Sequence, residues 1–149
     1  MVKSLLLVFL GCVLFSGCRD TPCGKSEAAV GFVGFQDQEL DTIVFQRYVK
    51  GSQFASLKDS LIFIRGAMHY YRKGDTVLLP YGESNLTSEL DYRIALPSAG
   101  KIYRIQEIYE PQTSGGNRRA YCINPIRSYR VNEQLVQGQE RYDYIYLTR

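Results

Sequence analysis

From Glu27 onward, the chain is a series of short apolar or alternating runs broken by turn residues, a pattern that suits strands joined by hairpins and leaves little room for helices. The breaks are Lys50-Gly51-Ser52, Lys73-Gly74-Asp75, Ser98-Ala99-Gly100 and Ser114-Gly115-Gly116-Asn117. Gly and Asn supply the left-handed backbone that tight turns need. Between the breaks the apolar residues follow a period of two. Leu90, Tyr92, Ile94 and Leu96 alternate with Asp91, Arg93 and Ala95, so one face of that strand is buried and the other is solvated. Segments 28–35, 42–49, 61–64, 76–79, 101–109, 120–126 and 142–148 read as further strands. Residues 129–136 read as a hairpin turning at Asn132-Glu133, because Asn tolerates the left-handed backbone of a two-residue loop. Only 52–60 has room for a helical turn.

This pattern predicts an all-β chain, an antiparallel β-sandwich. An aromatic content of 13%, with 12 Tyr and no Trp, agrees with packed β-structure. The architecture resembles an immunoglobulin-like domain, which needs about seven strands in ~100 residues. The core tryptophan of that family is absent, and Cys23 precedes the first clear strand. The alternative is a closed β-barrel enclosing a pocket, as in a small-ligand carrier or a hydrolase of the cell envelope.

The N-terminus carries a different kind of signal. Lys3 is followed by an apolar run over 5–15 and then Ser16-Gly17-Cys18, the three parts of a secretory signal peptide. The run is shorter than the ~20 apolar residues that a membrane-crossing helix needs. Leu14-Phe15-Ser16-Gly17-Cys18 resembles the lipobox of bacterial lipoproteins, with Phe15 where the family usually has Leu and the Leu one place further out. The resemblance implies cleavage before Cys18, lipidation of Cys18 and anchoring in a membrane by several acyl chains, each buried CH₂ contributing ~0.8 kcal/mol. The expected organisation is therefore a signal peptide over 1–17, a lipidated tether over 18–26 and a β-sandwich domain over 27–149. The expected location is the bacterial cell envelope, at the outer membrane.

Of the four cysteines, the resemblance implies that Cys12 leaves with the signal peptide and Cys18 carries the lipid. Cys23 and Cys122 remain. In an oxidising compartment they are expected to pair as a structural disulfide, two buried thiols being the alternative. Neither Cys-x-x-Cys spacing nor a local ligand cluster points to redox or zinc chemistry.

Catalytic motifs are sparse. His69 is the only histidine, and no Gly-x-Ser-x-Gly elbow or His-Glu-x-x-His helix accompanies it. Asp37, Glu39, Asp41, Glu107 and Glu110 lie at strand ends, where solvated carboxylates are common. The 114–117 loop lacks the Lys-Ser/Thr that grips phosphate. A net charge of +3 is too small to announce a nucleic-acid partner. No cofactor or metal is indicated. Tyr142, Tyr144 and Tyr146 share one face of the last strand. The expectation is that they pack into the sandwich with hydroxyls at the rim; facing solvent, they would form a contact surface for another envelope protein or a glycan. Asp41-Thr42-Ile43, Asp59-Ser60-Leu61 and Asp75-Thr76-Val77 resemble the acceptor motif of general O-glycosylation in some Gram-negative bacteria, which would modify Thr42, Ser60 or Thr76. Together these features describe a membrane-anchored binding or structural module, not an enzyme.

Overall fold

The computed structural model describes residues 21–66, 70–82, 84–115, 122–138 and 144–149. Among the described residues, twelve strands follow in chain order. They are β1 (Thr21–Pro22), β2 (Ala29–Val33), β3 (Thr42–Val49), β4 (Leu57–Ile64), β5 (Tyr71–Lys73), β6 (Thr76–Leu78), β7 (Leu90–Leu96), β8 (Lys101–Tyr109), β9 (Ser114–Gly115), β10 (Ser128–Val131), β11 (Gln134–Gln137) and β12 (Tyr144–Thr148). A six-stranded sheet has the order β11-β10-β8-β7-β3-β4, and a four-stranded sheet the order β12-β2-β6-β5. The short pair β1-β9 stands apart. Pairing is antiparallel except between β12 and β2, where the last strand runs parallel beside the first long one. The two large sheets pack face to face as a β-sandwich, and they do not close into a barrel.

Alternation along each strand builds the core between the layers. Val30 and Phe32 of β2, Val77 of β6 and Ile145 and Leu147 of β12 meet Phe45 of β3, Tyr92, Ile94 and Leu96 of β7 and Tyr103 and Ile105 of β8 in one continuous cluster. Phe35, just past β2, sets its ring 6.4 Å from Tyr103 in an edge-to-face contact. The Tyr103 hydroxyl also donates to the Thr148 carbonyl, so one side chain ties the two sheets by both packing and hydrogen bonding.

Strands β3, β7 and β8 begin and end where the alternation places them. The turn at Asn132-Glu133 has φ of 47° and 71°, the doubly left-handed backbone of a two-residue hairpin. Other segments depart from expectation. No helical turn forms in 52–60: Gln53 and Phe54 have φ of 51° and 62°, which a right-handed helix cannot contain, and β4 starts at Leu57. The strand expected over 120–126 reduces, from Cys122 on, to a single bridge between Ile123 and Gly24. The following residues are irregular because Asn124 and the disulfide tie them to Gly24 and Cys23 instead of to a ladder. Ser114 and Gly115, read as part of a hairpin loop, pair with β1.

Tyr92 shows how the core handles a polar atom. Its ring is fully buried, and its hydroxyl accepts the Thr87 backbone N–H at 2.7 Å. Burial pushes the phenol above its ordinary value. A raised folded-state pKa gives stability that is complete below the unfolded value, near 10, and is lost as pH climbs toward the folded value. Wild-type protein is therefore expected to melt at progressively lower temperature above about pH 10. Tyr92→Phe should cost about 1 kcal/mol at neutral pH, from the Thr87 amide left without its partner, and should flatten the alkaline decline. Thermal melts from pH 8 to 12 test both; an alkaline decline of wild-type size in the variant would assign it to other groups.

Candidate functional site

The sulfurs of Cys23 and Cys122, 99 positions apart in the sequence, are bonded, with Cα atoms 4.8 Å apart. The bridge belongs to a set of contacts that holds residues 21–26, the expected end of the tether, on the body. The Cys23 N–H donates to the Thr113 carbonyl and the Gly24 N–H to the Cys122 carbonyl, both at 2.9 Å. Buried Asn124 accepts from the Thr113 N–H at 2.8 Å and from its hydroxyl at 2.7 Å. Ser26 N–H donates to Glu110 at 2.7 Å. Lys25 pairs with Glu89, which raises the lysine pKa and lowers that of the carboxyl through hydrogen bonding and charge. The segment expected to be a signal peptide, the expected lipidation residue Cys18, His69 and Tyr142 lie outside the described residues.

The carboxylates weighed for catalysis are engaged with partners. Asp37 pairs with Arg72 and, at 3.6 Å, with Arg65. Asp41 also meets Arg65 at 3.3 Å, and Glu39 meets Arg149 at 3.0 Å. Glu107 binds Arg130 at 2.8 Å. Glu110 takes the Ser26 amide and, at 2.6 Å, the Ser88 hydroxyl. The three hydroxyl residues of the Asp-initiated triplets sit in strands. Thr42 opens β3 and Thr76 opens β6, both half-buried, whereas Ser60 is exposed on β4, an edge strand.

Tyr144 and Tyr146 do not pack into the core. Ile145 and Leu147 take the inward face of β12, each 1% exposed, so the tyrosines must face outward on the four-stranded sheet. Tyr146 is 47% exposed and its ring lies over Gly31, its partner on β2. A Cβ at Gly31 would stand 2.7 Å from the ring, so the close approach needs glycine there. Tyr144 has its ring centroid 6.2 Å from that of Tyr146 and 5.5 Å from that of Tyr81. Tyr71, 65% exposed, stands in the same cross-strand row through Leu78.

A second surface lies on the outward face of the six-stranded sheet. Ile102, Arg104 and Gln106 of β8 alternate with core residues and form a floor. The β3–β4 connection supplies one wall through Gln53 and Phe54, and the β10–β11 turn supplies the other through Asn132 and Glu133. The cleft measures about 700 Å³. A smaller cleft of about 270 Å³, lined by Lys50, Gly51, Gln53, Asp91, Gln106 and Glu107, shares Gln53 and Gln106 with it, so the two form one groove. Among the described residues, five non-glycine positions have positive φ: Gln53, Phe54, Glu107, Asn132 and Glu133. All five line this groove.

The walls are fixed from behind. Asn132 accepts the Arg104 N–H at 2.8 Å through its side chain and donates its own N–H to the Arg104 carbonyl at 2.9 Å. Phe54 packs edge-on against Tyr48, with ring centroids 5.3 Å apart. Buried Asp91 accepts the Gly51 N–H at 2.8 Å and so pins the β3–β4 connection to the sheet. Arg93 is the register partner of Arg104, and Gln46 Oε1 accepts from Arg93 at 3.0 Å and from Tyr48 at 3.2 Å. Among the described residues no carboxylate bonds the guanidinium of Arg93 or Arg104. One signal for this pair was present in the sequence: a hairpin closed at 97–100 puts Arg93 opposite Arg104. The Phe54 wall had none, because turn signals alone do not tell which face of a sheet a loop folds over. Comparison of the chain with protein-family models, with curated proteins and with solved structures found no match.

Proposed function

We propose that this chain is a lipid-anchored lipoprotein of a bacterial cell envelope, at the outer membrane, that acts as a binding module and not as an enzyme. The observation that carries the binding reading is the groove over β8, where every described non-glycine residue in left-handed backbone converges. Left-handed backbone costs a non-glycine residue roughly 1–2 kcal/mol, and such strain gathers where a surface is preorganised for a ligand. The filled core and the disulfide give that surface a rigid support. The carboxylates weighed for catalysis support the same reading, since each is occupied by an arginine, an amide or a hydroxyl. Anchoring rests on the lipobox-like Leu14-Phe15-Ser16-Gly17-Cys18 segment.

Fractionation of native cells tests the anchor. Wild-type protein is expected in the membrane fraction, and a Cys18→Ala variant in the soluble one. A variant that stays membrane-bound would overturn the lipid anchor. Crosslinking and affinity capture from intact envelopes, repeated with Phe54→Ala, tests the module: loss of the captured species supports the groove as the contact surface, and unchanged capture argues against it.

A further inference from the structure

We infer that the groove over β8 takes an acidic oligosaccharide, with a carboxylate of the sugar chain seated at the Arg93–Arg104 pair and a pyranose ring against Phe54. This rests on the binding-module reading above and names the ligand class for that site. The argument begins with charge. Arg93 and Arg104 face each other across β7 and β8, and like charges directly opposite in a sheet repel. Among the described residues only the Gln46 amide relieves them. Three of the other charges along the groove are engaged. Lys50 donates to the Ser88 carbonyl at 2.7 Å and the Ile108 carbonyl at 3.3 Å. Asp91 holds the Gly51 amide, and Glu107 is paired with Arg130. Glu133 lines the wall, and its backbone carbonyl accepts from Arg130 at 2.8 Å. Arg104 lines the cleft with Glu133, and Arg93 flanks it from the neighbouring strand; with both guanidiniums counted against the one carboxylate the site is net positive, and forked guanidinium donors suit a carboxylate.

The rest of the lining selects sugar over peptide. Strands β3, β7, β8 and β10 each have a neighbour on both sides, so the floor offers no free backbone ladder to which an extended peptide could add. Recognition there must use side chains. Gln53 and Gln106 line both clefts, and their amides make no hydrogen bond to described residues. A primary amide donates and accepts at once, which matches vicinal hydroxyls. Half-exposed Phe54 adds a flat apolar surface for the C–H face of a sugar ring. The groove continues past the arginines toward Lys50 and Glu107, which fits a linear chain of several units.

The test uses the full chain in detergent with three probes: tetragalacturonate, its methyl ester and tetraglutamate, titrated by calorimetry. Tetragalacturonate is expected to bind, with the ester weaker by about tenfold or more through the loss of one charge-assisted contact, and the peptide weaker by a similar factor because it has the carboxylates but neither vicinal hydroxyls for Gln53 and Gln106 nor a pyranose face for Phe54. Arg93→Gln with Arg104→Gln should weaken tetragalacturonate by a similar factor while melting no lower than wild type, since the substitution removes a repulsion. Phe54→Ala should weaken both sugars alike. Equal binding of tetraglutamate, or of the ester, would overturn the acidic-sugar assignment, as would absence of tetragalacturonate binding. In that last case, capture of an envelope protein that the arginine variants abolish would preserve the binding module and reject only the ligand class. Capture that these variants leave unchanged would reject the groove as a binding site altogether.

Discussion

A Cys23→Ser, Cys122→Ser variant is expected to lose about 4–5 kcal/mol of stability, the chain-entropy contribution of closing a loop of roughly 100 residues. For a domain of this size that corresponds to a fall in Tm on the order of 15 °C. The native contacts around the bridge do not replace it. Asn124 joins Thr113 to the Cys23 carbonyl, and β1-β9 is a two-residue pair, so without the covalent link this end of the molecule depends on a handful of hydrogen bonds worth about 1 kcal/mol each. Urea melts of wild type with and without reductant, beside the double variant, measure the effect. Reduced wild type should coincide with the variant. A loss below about 1 kcal/mol would mean that the Asn124 network alone holds residues 21–26 and that the bridge is redundant.

The elements that could be read from sequence are those in which local pattern and tertiary burial agree. In β7, Leu90 to Leu96 alternate without a break, and of the expected inward residues Tyr92, Ile94 and Leu96 are in the core while half-buried Leu90 packs against it. The hairpin at Asn132-Glu133 was legible because its chemistry is local: two successive left-handed residues, the first an Asn. Failures occurred where partners distant in sequence decide the structure. The two-residue β1 and β9 pair Thr21 and Pro22 with Gly115 and Ser114, residues more than 90 positions away in the sequence. Tyr144 and Tyr146 were expected inside because Ile145 and Leu147 on the opposite face cannot be exposed along with them. The strand has only one inward face, and Ile145 and Leu147, with no polar atoms to satisfy, occupy it at lower cost. Gly31 could not have been recognised from sequence as the floor beneath Tyr146, since the parallel pairing of the first and last long strands leaves no local mark.

The candidate groove was less legible than the fold for a related reason. Its floor was half visible: Arg104 and Gln106 occupy solvated positions in a strand whose bounds were expected correctly. Its walls come from two connections, 50–56 and 132–133, and which side of the sheet they cover depends on the Tyr48–Phe54 contact and on the bond from Gly51 to Asp91. Asp91 reads in sequence as an ordinary solvated strand residue, yet it is 3% exposed because it anchors that loop. Polar residues at outward strand positions are usually surface. Here they became structural or recognition groups only after the loops were laid over them.

The sandwich itself makes the second large prediction: Phe45→Ala should destabilise the protein by about 3–5 kcal/mol. Phe45 sits in β3 with no exposed surface, directly between Leu61 of β4 and Ile94 of β7. Its ring meets those of Phe63 at 6.2 Å and Tyr92 at 5.7 Å, both edge to face. Truncation therefore removes the buried area of the ring, opens a cavity in a two-layer core and breaks two aromatic contacts at once. Ile62 is the control. It lies on neighbouring β4 but on the outward face, 63% exposed, and Ile62→Ala should change stability by less than about 0.5 kcal/mol. A double-mutant cycle between Phe45→Ala and Phe63→Ala should give a coupling near 1 kcal/mol, the usual strength of such a ring pair. Similar losses from Phe45→Ala and Ile62→Ala would contradict the facing of the strands. A reversal of face in β3 would carry Gln46 and its neighbours with it, so these chemical melts also test the alternation that puts Arg93 and Arg104 on the outer surface.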